Sequence, residues 1–374
     1  MKARKEPRMP HLKISGLSKG FGRKQVLDGL DLEVQRGECL VVFGGSGSGK
    51  TTLLRHIAGL LTPDAGQVWI DGQPAGDSGA QQRDVAMAFQ NFALYPHMSA
   101  FENIASPLRA RRMDEAAIAQ QVREVAALLR IGPVLGHSPR QLSNGQKQRT
   151  ALARSLVHRP QMLLLDDPLR NVDAKIRFEM RIEFPKLFRA FGSTVLYVTQ
   201  DYREALALGD RIGVLVDGRF QQIDSPAGVY HNPQSRAVAR LFGDPPMNLL
   251  EVTPRRRPGP GPGGALEVPI GARALALPEP RADLAGRRCV LGVRPEDLLF
   301  GTDPRPGALP VTLEAAMPMN VRTVALLRTD DGVELLSSRP EDPALAAQRG
   351  HLRGFATLAP GRSMFFDPVS GARV

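Results

Sequence analysis

Over roughly the first 240 residues, short unbroken apolar runs alternate with longer stretches in which apolar positions recur at helical spacing. Cys39–Phe43, Met162–Leu165 and Thr194–Thr199 read as strands buried on both faces of a sheet. Thr52–Leu61, behind the first of these, reads as a helix, and Glu115–Leu129 carries a helical apolar stripe. Arg177–Phe191 reads as a further helix that Pro185 should kink. This alternation predicts an α/β fold, a mostly parallel sheet with flanking helices. The pattern changes at Asp244–Pro246, and Arg255–Gly264 (RRRPGPGPGG) predicts a linker that is neither helix nor strand interior. Beyond it, short β-like segments such as Cys289–Val293 and Thr323–Leu327 alternate with Gly/Pro-rich turns, predicting a small all-β barrel or sandwich. Two domains are therefore expected, residues 1–244 and 245–374, with no solenoid repeat.

Composition narrows the setting. No apolar run approaches the roughly 18 residues that a membrane-spanning helix needs. Lys2, Arg4, Lys5 and Arg8 are not followed by an apolar stretch, so a secretory signal is excluded and a cytoplasmic protein is expected. Cys39 and Cys289 lack metal-site spacing, and Cys39 reads as a small core residue. The net charge of +11 raises two kinds of partner, nucleic acid and an anionic membrane surface. The arginines are scattered and aromatics make up only 5% of residues, so the nucleic-acid footprint is missing and the membrane's inner leaflet fits better.

The strongest chemical signal is Gly44-Gly45-Ser46-Gly47-Ser48-Gly49-Lys50-Thr51, placed between a strand and a helix. Glycines let the backbone curl so that successive N–H groups point inward, and the helix start adds its positive dipole end. This is a phosphate loop. Lys50 would hold the β- and γ-phosphates of ATP, the Thr51 hydroxyl would ligate Mg²⁺, and Thr52 belongs to the same nucleotide-binding set. A second strand ends in Asp166-Asp167, and parallel strands deliver their C-terminal ends to the ligand crevice, which places Asp166 beside the magnesium.

Between these motifs, Leu142-Ser143-Asn144-Gly145-Gln146 resembles the signature of ATP-binding-cassette (ABC) proteins, usually LSGGQ, which grips the γ-phosphate of ATP bound to the opposite subunit. The rest of that family's set follows in order. Gln90 matches the glutamine that joins Thr51 and Asp166 around magnesium, Asn171-Val172-Asp173 matches the D-loop, and Gln200 stands at the switch-histidine position. Phe21 matches the aromatic that stacks on adenine, with a core aromatic as its alternative. Phe89–Met98, Glu102-Asn103-Ile104, Ser225-Pro226, Tyr230, Met247-Asn248 and Gly292–Glu296 are similar to the maltose-type, carbohydrate-importing group. The likeness is close over residues 12–250 and looser beyond. It implies a nucleotide-binding domain with a helical subdomain, followed by an oligosaccharide-binding-fold (OB, TOBE-type) domain. It also implies a dimer of such subunits, peripheral on the cytoplasmic face of the membrane beneath two integral-membrane permeases, and fed by an extracytoplasmic solute-binding protein. In that family the segment after Gln90 lines the groove that receives a permease coupling helix.

Three departures fall on the hydrolytic machinery. Asp167 stands where the family has a glutamate that polarises water, and its carboxylate is shorter by on the order of 1 Å, a misplacement that costs roughly 100-fold in rate. Gln200 cannot carry the charge of the histidine it replaces. Asn144 replaces a signature glycine, and its tolerance of left-handed backbone is expected to preserve the loop. A homodimer would carry all three departures in both sites, whereas a heterodimer with an intact paralogue would keep one competent site, and the heterodimer is preferred. The leading expectation is an ATPase subunit for carbohydrate or polyol import, glycerol and glycerol phosphate among the solutes. Polyamine or ferric-iron import, a non-hydrolytic regulatory subunit, and a non-transport ABC protein of DNA repair or translation are the alternatives.

Overall fold

The computed structural model describes residues 9–374 apart from 77, 80, 81, 90, 171, 258–265, 279, 280, 320 and 348–350. The expectations for Gln90 and Asn171 therefore lie outside the described residues. The chain divides into two compact units, Met1–Val229 and Tyr230–Val374.

In chain order the first unit contains β1 (Leu12–Phe21), β2 (Lys24–Val34), β3 (Cys39–Phe43), α1 (Lys50–Ile57), β4 (Ala65–Ile70), β5 (Gln73–Pro74) and β6 (Val85–Ala88). It continues with α2 (Ala100–Ala110), α3 (Glu115–Leu128), α4 (Asn144–Leu156), β7 (Met162–Asp166) and α5 (Ala174–Phe191). β8 (Thr194–Thr199), α6 (Tyr202–Leu208), β9 (Arg211–Val216) and β10 (Arg219–Asp224) complete it. An antiparallel sheet has the order β2-β1-β4-β5, and a second sheet has the order β10-β9-β3-β8-β7-β6. In the second sheet every pairing is parallel except that of β10 with β9. All residues of β3, β7 and β8 are buried, as their unbroken apolar character predicts. Leu40, Val42, Leu164, Leu196 and Val198 share one core with Leu53, Leu54 and Ile57 of α1.

Two helices differ from expectation. α1 runs Lys50–Ile57 rather than Thr52–Leu61. Its last carbonyls, of His56 and Ile57, accept 2.7 and 2.8 Å hydrogen bonds from the Arg83 guanidinium, a cap supplied from 26 or 27 residues away. α5 starts earlier, at Ala174, because the Asp173 side chain accepts from the Ile176 N–H, and it runs through Pro185 to Gly192 at φ 64°.

The segment after residue 90 is held in an unusual shape. Phe92 and Ala93 both adopt left-handed backbone (φ 62° and 47°), at a cost of about 1–3 kcal/mol each for non-glycine residues. Arg154 of α4 donates to the Ala93 carbonyl at 2.8 Å and the Phe92 carbonyl at 3.3 Å. Asn103 of α2, wholly buried, accepts from the Tyr95 N–H and donates toward the Tyr95, Met98 and Ser99 carbonyls.

The second unit begins 15 residues before the expected boundary at 244/245, at Tyr230. The reason is Arg294, 1% exposed, which donates to the Tyr230 and Phe242 carbonyls and lies 3.6 Å from the Tyr230 ring centroid. The short helices α7 (Pro226–His231) and α8 (Arg236–Leu241) lead to β11 (Asn248–Val252), β12 (Arg255–Arg256), β13 (Leu266–Ile270), β14 (Arg273–Ala276) and β15 (Cys289–Val293). β16 (Leu298–Gly301), β17 (Leu309–Met319), β18 (Arg322–Arg328), β19 (Glu334–Pro340), β20 (Leu352–Leu358) and β21 (Met364–Phe366) follow. The sheets β11-β15-β21, β12-β13-β14 and β16-β20-β17-β18-β19 pack on one apolar core that includes Cys289. The expected linker is corrected at its start. Arg255 and Arg256 pair with Glu267 and Leu266, aided by a 2.8 Å Arg255–Glu267 ion pair, and the remainder, 258–264, lies outside the described residues. Among the described residues no helix is long and apolar enough to cross a membrane.

Asn103→Ala should lower the unfolding free energy by about 2–3 kcal/mol, because the polar groups of the loop at 95–98 lose their buried partner. Urea denaturation of the full chain checks this. A change below about 0.5 kcal/mol would show that the loop is held by other means.

Candidate functional site

Three parallel strands bring the candidate residues to one end of the sheet, at the strands' C-terminal ends. In the ladder Phe43 pairs with Thr199 and Asp166 with Val198, so Gly44, Asp167 and Gln200 all leave their strands at the same end. The turn after β3 requires glycine at two places. A Cβ on Gly44 would stand 2.2 Å from the Leu215 carbonyl oxygen, and one on Gly49 (φ 104°) would stand 2.6 Å from Leu27 Cδ2. Gly45, Ser46 and Gly47 are exposed at the crest of the turn, while Gly44, Ser48 and Gly49 are buried beneath it.

The Lys50 ammonium donates to the Gly44 and Gly45 carbonyls at 2.9 and 2.6 Å. Thr51 Oγ1 donates to Asp166 Oδ1 at 3.0 Å, and Thr52 stands half-buried in the same first turn of α1. Asp167 has left-handed backbone (φ 47°), and its N–H donates to the Val198 carbonyl at 2.9 Å. Its Oδ2 accepts from Gln200 Nε2 at 3.4 Å and faces Arg170 Nη1 at 3.9 Å. Burial pushes the Asp166 and Asp167 carboxyls up, against the lowering pull of Thr51 and Arg170 respectively, and burial pulls the Lys50 ammonium down.

Ser143, Asn144, Gly145 and Gln146 sit on a different element, the start of α4. Ser143 is its N-cap, its hydroxyl accepting from the Gln146 N–H at 3.3 Å while the Gln146 carboxamide accepts from the Ser143 N–H at 2.9 Å. The expected left-handed backbone at Asn144 is not found, since Asn144 is the first residue of the right-handed helix. A side chain there is compatible with the helix and is exposed. At Gly145 a Cβ would stand 2.8 Å from Ile176 Cδ1, so the end of that side chain would have to shift. Phe21, at the end of β1, is 49% exposed, so the core-aromatic alternative falls away.

The donor set suits a hard cation and a polyphosphate. Thr51 and Asp166 offer oxygens 3.0 Å apart, the chemistry magnesium takes, beside a turn whose crest carries no side chain larger than serine.

Sequence reasoning did not single out Glu204, which is 1% exposed. Four residues after Gln200, it accepts from Tyr197 and Thr199 hydroxyls at 2.9 and 2.8 Å and faces Arg177 at 4.0 Å. Only its acidity in an otherwise apolar helix face (Ala205, Leu208) marks it in the sequence.

A model of the ABC transporter family matches residues 27–170, and one of the MalK OB fold domain matches 243–298. The sn-glycerol-3-phosphate import ATP-binding protein UgpC of Bordetella avium is 42% identical over 370 residues, covering 98% of this chain and 99% of that protein. This chain belongs to the ABC transporter family. The UgpC protein of Salmonella typhi is 40% identical over 374 residues, covering 98% of this chain and 100% of that one. Among solved structures, a dimeric post-hydrolysis state of an ATP-binding cassette bound to ADP and Pi is 30% identical, with a TM-score of 0.54, over 57% of this chain and 98% of that one. The first unit accordingly has the fold of an ABC ATPase domain, a nucleotide-binding fold, and the second carries a MalK-type OB fold.

Burial also sets a pH dependence in this ABC domain. Desolvation pushes the Glu204 carboxyl up to about 7, with Asp201 and Asp167 adding to the rise and the hydroxyls of Tyr197 and Thr199 opposing it. A carboxyl raised in the folded state stabilises the fold below its unfolded value, and that stability is lost as pH rises through about 7. Full ionisation costs on the order of 3 kcal/mol. Unfolding free energies measured between pH 5 and 8 should fall with rising pH. Glu204→Gln, which keeps an acceptor for both hydroxyls, should flatten that slope, and an unchanged slope would assign the dependence elsewhere.

Proposed function

We propose that this chain is the ATP-binding subunit of an importer, and that it binds Mg-ATP on the Gly44–Thr51 turn and drives uptake of a phosphorylated polyol, sn-glycerol 3-phosphate, through membrane permeases. The observation that carries the nucleotide reading is the Thr51–Asp166 pair at the foot of a turn whose Gly44 and Gly49 admit no side chain. Relatives matching nearly end to end and named for sn-glycerol-3-phosphate import support the solute.

In this reading Lys50 leaves the Gly44 and Gly45 carbonyls to neutralise the β- and γ-phosphates. Thr51, Asp166 and Gln90 hold magnesium, which when bound draws charge from the phosphate oxygens. Asp167 orients the attacking water, with Gln200 donating to the other side of the same carboxylate. Exposed Phe21 stacks on adenine. Ser143, Asn144, Gly145 and Gln146 face the nucleotide of a second cassette, a pairing supported by the dimeric solved structures. A paralogue as that second cassette rests on the departures at Asp167, Gln200 and Asn144 alone. The chain works peripherally at the cytoplasmic face of the membrane, its strained loop at 92–98 meeting the permease and an extracytoplasmic binding protein delivering the solute.

Uptake of labelled sn-glycerol 3-phosphate by cells lacking this chain should be lost and return with the wild-type gene. Unchanged uptake, with a polyamine, iron or sugar flux lost instead, would assign a different solute. In the purified chain, Asp167→Glu with Gln200→His should raise ATP turnover about tenfold or more, and by more than either change alone, because both groups serve one transition state. Turnover of the wild type equal to that of the double variant would make Asp167 and Gln200 working substitutes.

A further inference from the structure

Within the hydrolytic corner of the first unit, one charged side chain has no role so far. Arg170 lies three residues after Asp167, and its Nη1 stands 3.9 Å from Asp167 Oδ2, the oxygen that also accepts from Gln200 Nε2 at 3.4 Å. The backbone brings it there. Asp167 turns into left-handed conformation (φ 47°), and the Arg170 N–H donates back to the Asp167 carbonyl at 3.2 Å, which closes the turn beneath the two side chains. The far side of the turn is anchored as well, because Arg177 of α5 donates to the Arg170 carbonyl at 3.3 Å and the Val172 carbonyl at 3.1 Å.

The charge pattern gives the arrangement its meaning. Gln200 brings a hydrogen bond to Asp167 and no charge. Lys50 is directed at its own loop carbonyls. We propose that Arg170 is a positioning residue for hydrolysis, its guanidinium supplying at Asp167 Oδ2 the positive charge that Gln200 lacks. The Asp167 side chain is only 11% exposed, so the attraction is screened less than that of a surface pair, while Arg170 at 47% stays free to follow the carboxylate. With Oδ2 held between Gln200 and Arg170, Oδ1 is the oxygen left to meet water. The proposal rests on the ATP-hydrolysing reading above, and its test separates the two.

The test is single-turnover hydrolysis of Mg-ATP by the full chain, with nucleotide binding measured separately by calorimetry. Arg170→Ala and Arg170→Gln should each lower the hydrolysis rate about tenfold while changing nucleotide affinity less than about twofold, and Arg170→Lys should recover most of the rate. The same Arg170→Ala change should cost less than about threefold in a Gln200→His background and nothing further in an Asp167→Asn background, because it acts through that one carboxylate. A merely structural arginine would cost the same in all three backgrounds, and that result overturns the proposal. Full activity of Arg170→Gln, or a wild-type chain that binds Mg-ATP and hydrolyses none, overturns it too. A wild-type chain that does not bind Mg-ATP at all removes the functional reading itself, and this proposal with it.

Discussion

Parallel pairing of β3, β7 and β8 sets Phe43 opposite Thr199 and Asp166 opposite Val198, and the turn at Gly44, the Asp166–Asp167 carboxylates and Gln200 inherit their places from that register. A slip of one residue in β7 would send the Asp166 side chain to the other face and take its carboxylate away from Thr51. The register is held by strands whose residues are all buried, so each slip would also bury polar ends and displace Val and Leu from the core. The C-terminal end of the sheet is thus a rigid platform, and the turns at Gly44, Asp167 and Gln200 stand on it.

That platform concentrates unfavourable electrostatics. Asp166, Asp167 and Glu204 lie at 5, 9 and 1% exposure, and burial raises all three carboxyls. Charge is then supplied from turns and helix starts rather than from the strands. Lys50 begins α1, Arg170 closes the turn after β7, and Arg177 lies in the first turn of α5. Perturbed acids gathered at the C-terminal ends of parallel strands are the arrangement from which functional sites are built. Asp167 in left-handed backbone adds local strain at the same spot.

Much of this is legible in the sequence, for definite physical reasons. Unbroken apolar runs identify β3, β7 and β8, because a strand covered on both faces tolerates little else. Glycine spacing marks the turn at Gly44–Gly49, since close approach to Leu215 and Leu27 forbids a Cβ. α1 ends before Leu61 for a local reason: Gly59 (φ 74°) turns left-handed, its N–H donating to the His56 carbonyl and that of Leu60 to the Arg55 carbonyl. What escapes the sequence depends on partners distant in the chain, such as Arg83 on the last carbonyls of α1 and Arg294 on the Tyr230 and Phe242 carbonyls. Asn144 is helical because Ser143 and Gln146 cap each other, a pattern legible in S-x-x-Q once the helix start is placed there. Arg170 and Glu204 belong to no motif, and only the fold shows that Arg170 faces Asp167 and that Glu204 is buried against Tyr197 and Thr199.

Phosphate binding by the Gly44–Thr51 turn is the central proposal for this chain. Calorimetric titration of Mg-ATP into the full chain, beside Lys50→Ala and Thr51→Val, tests it most directly. Saturable binding by the wild type, abolished in Lys50→Ala and made insensitive to magnesium in Thr51→Val, is the predicted result. Wild-type affinity in Lys50→Ala would contradict it.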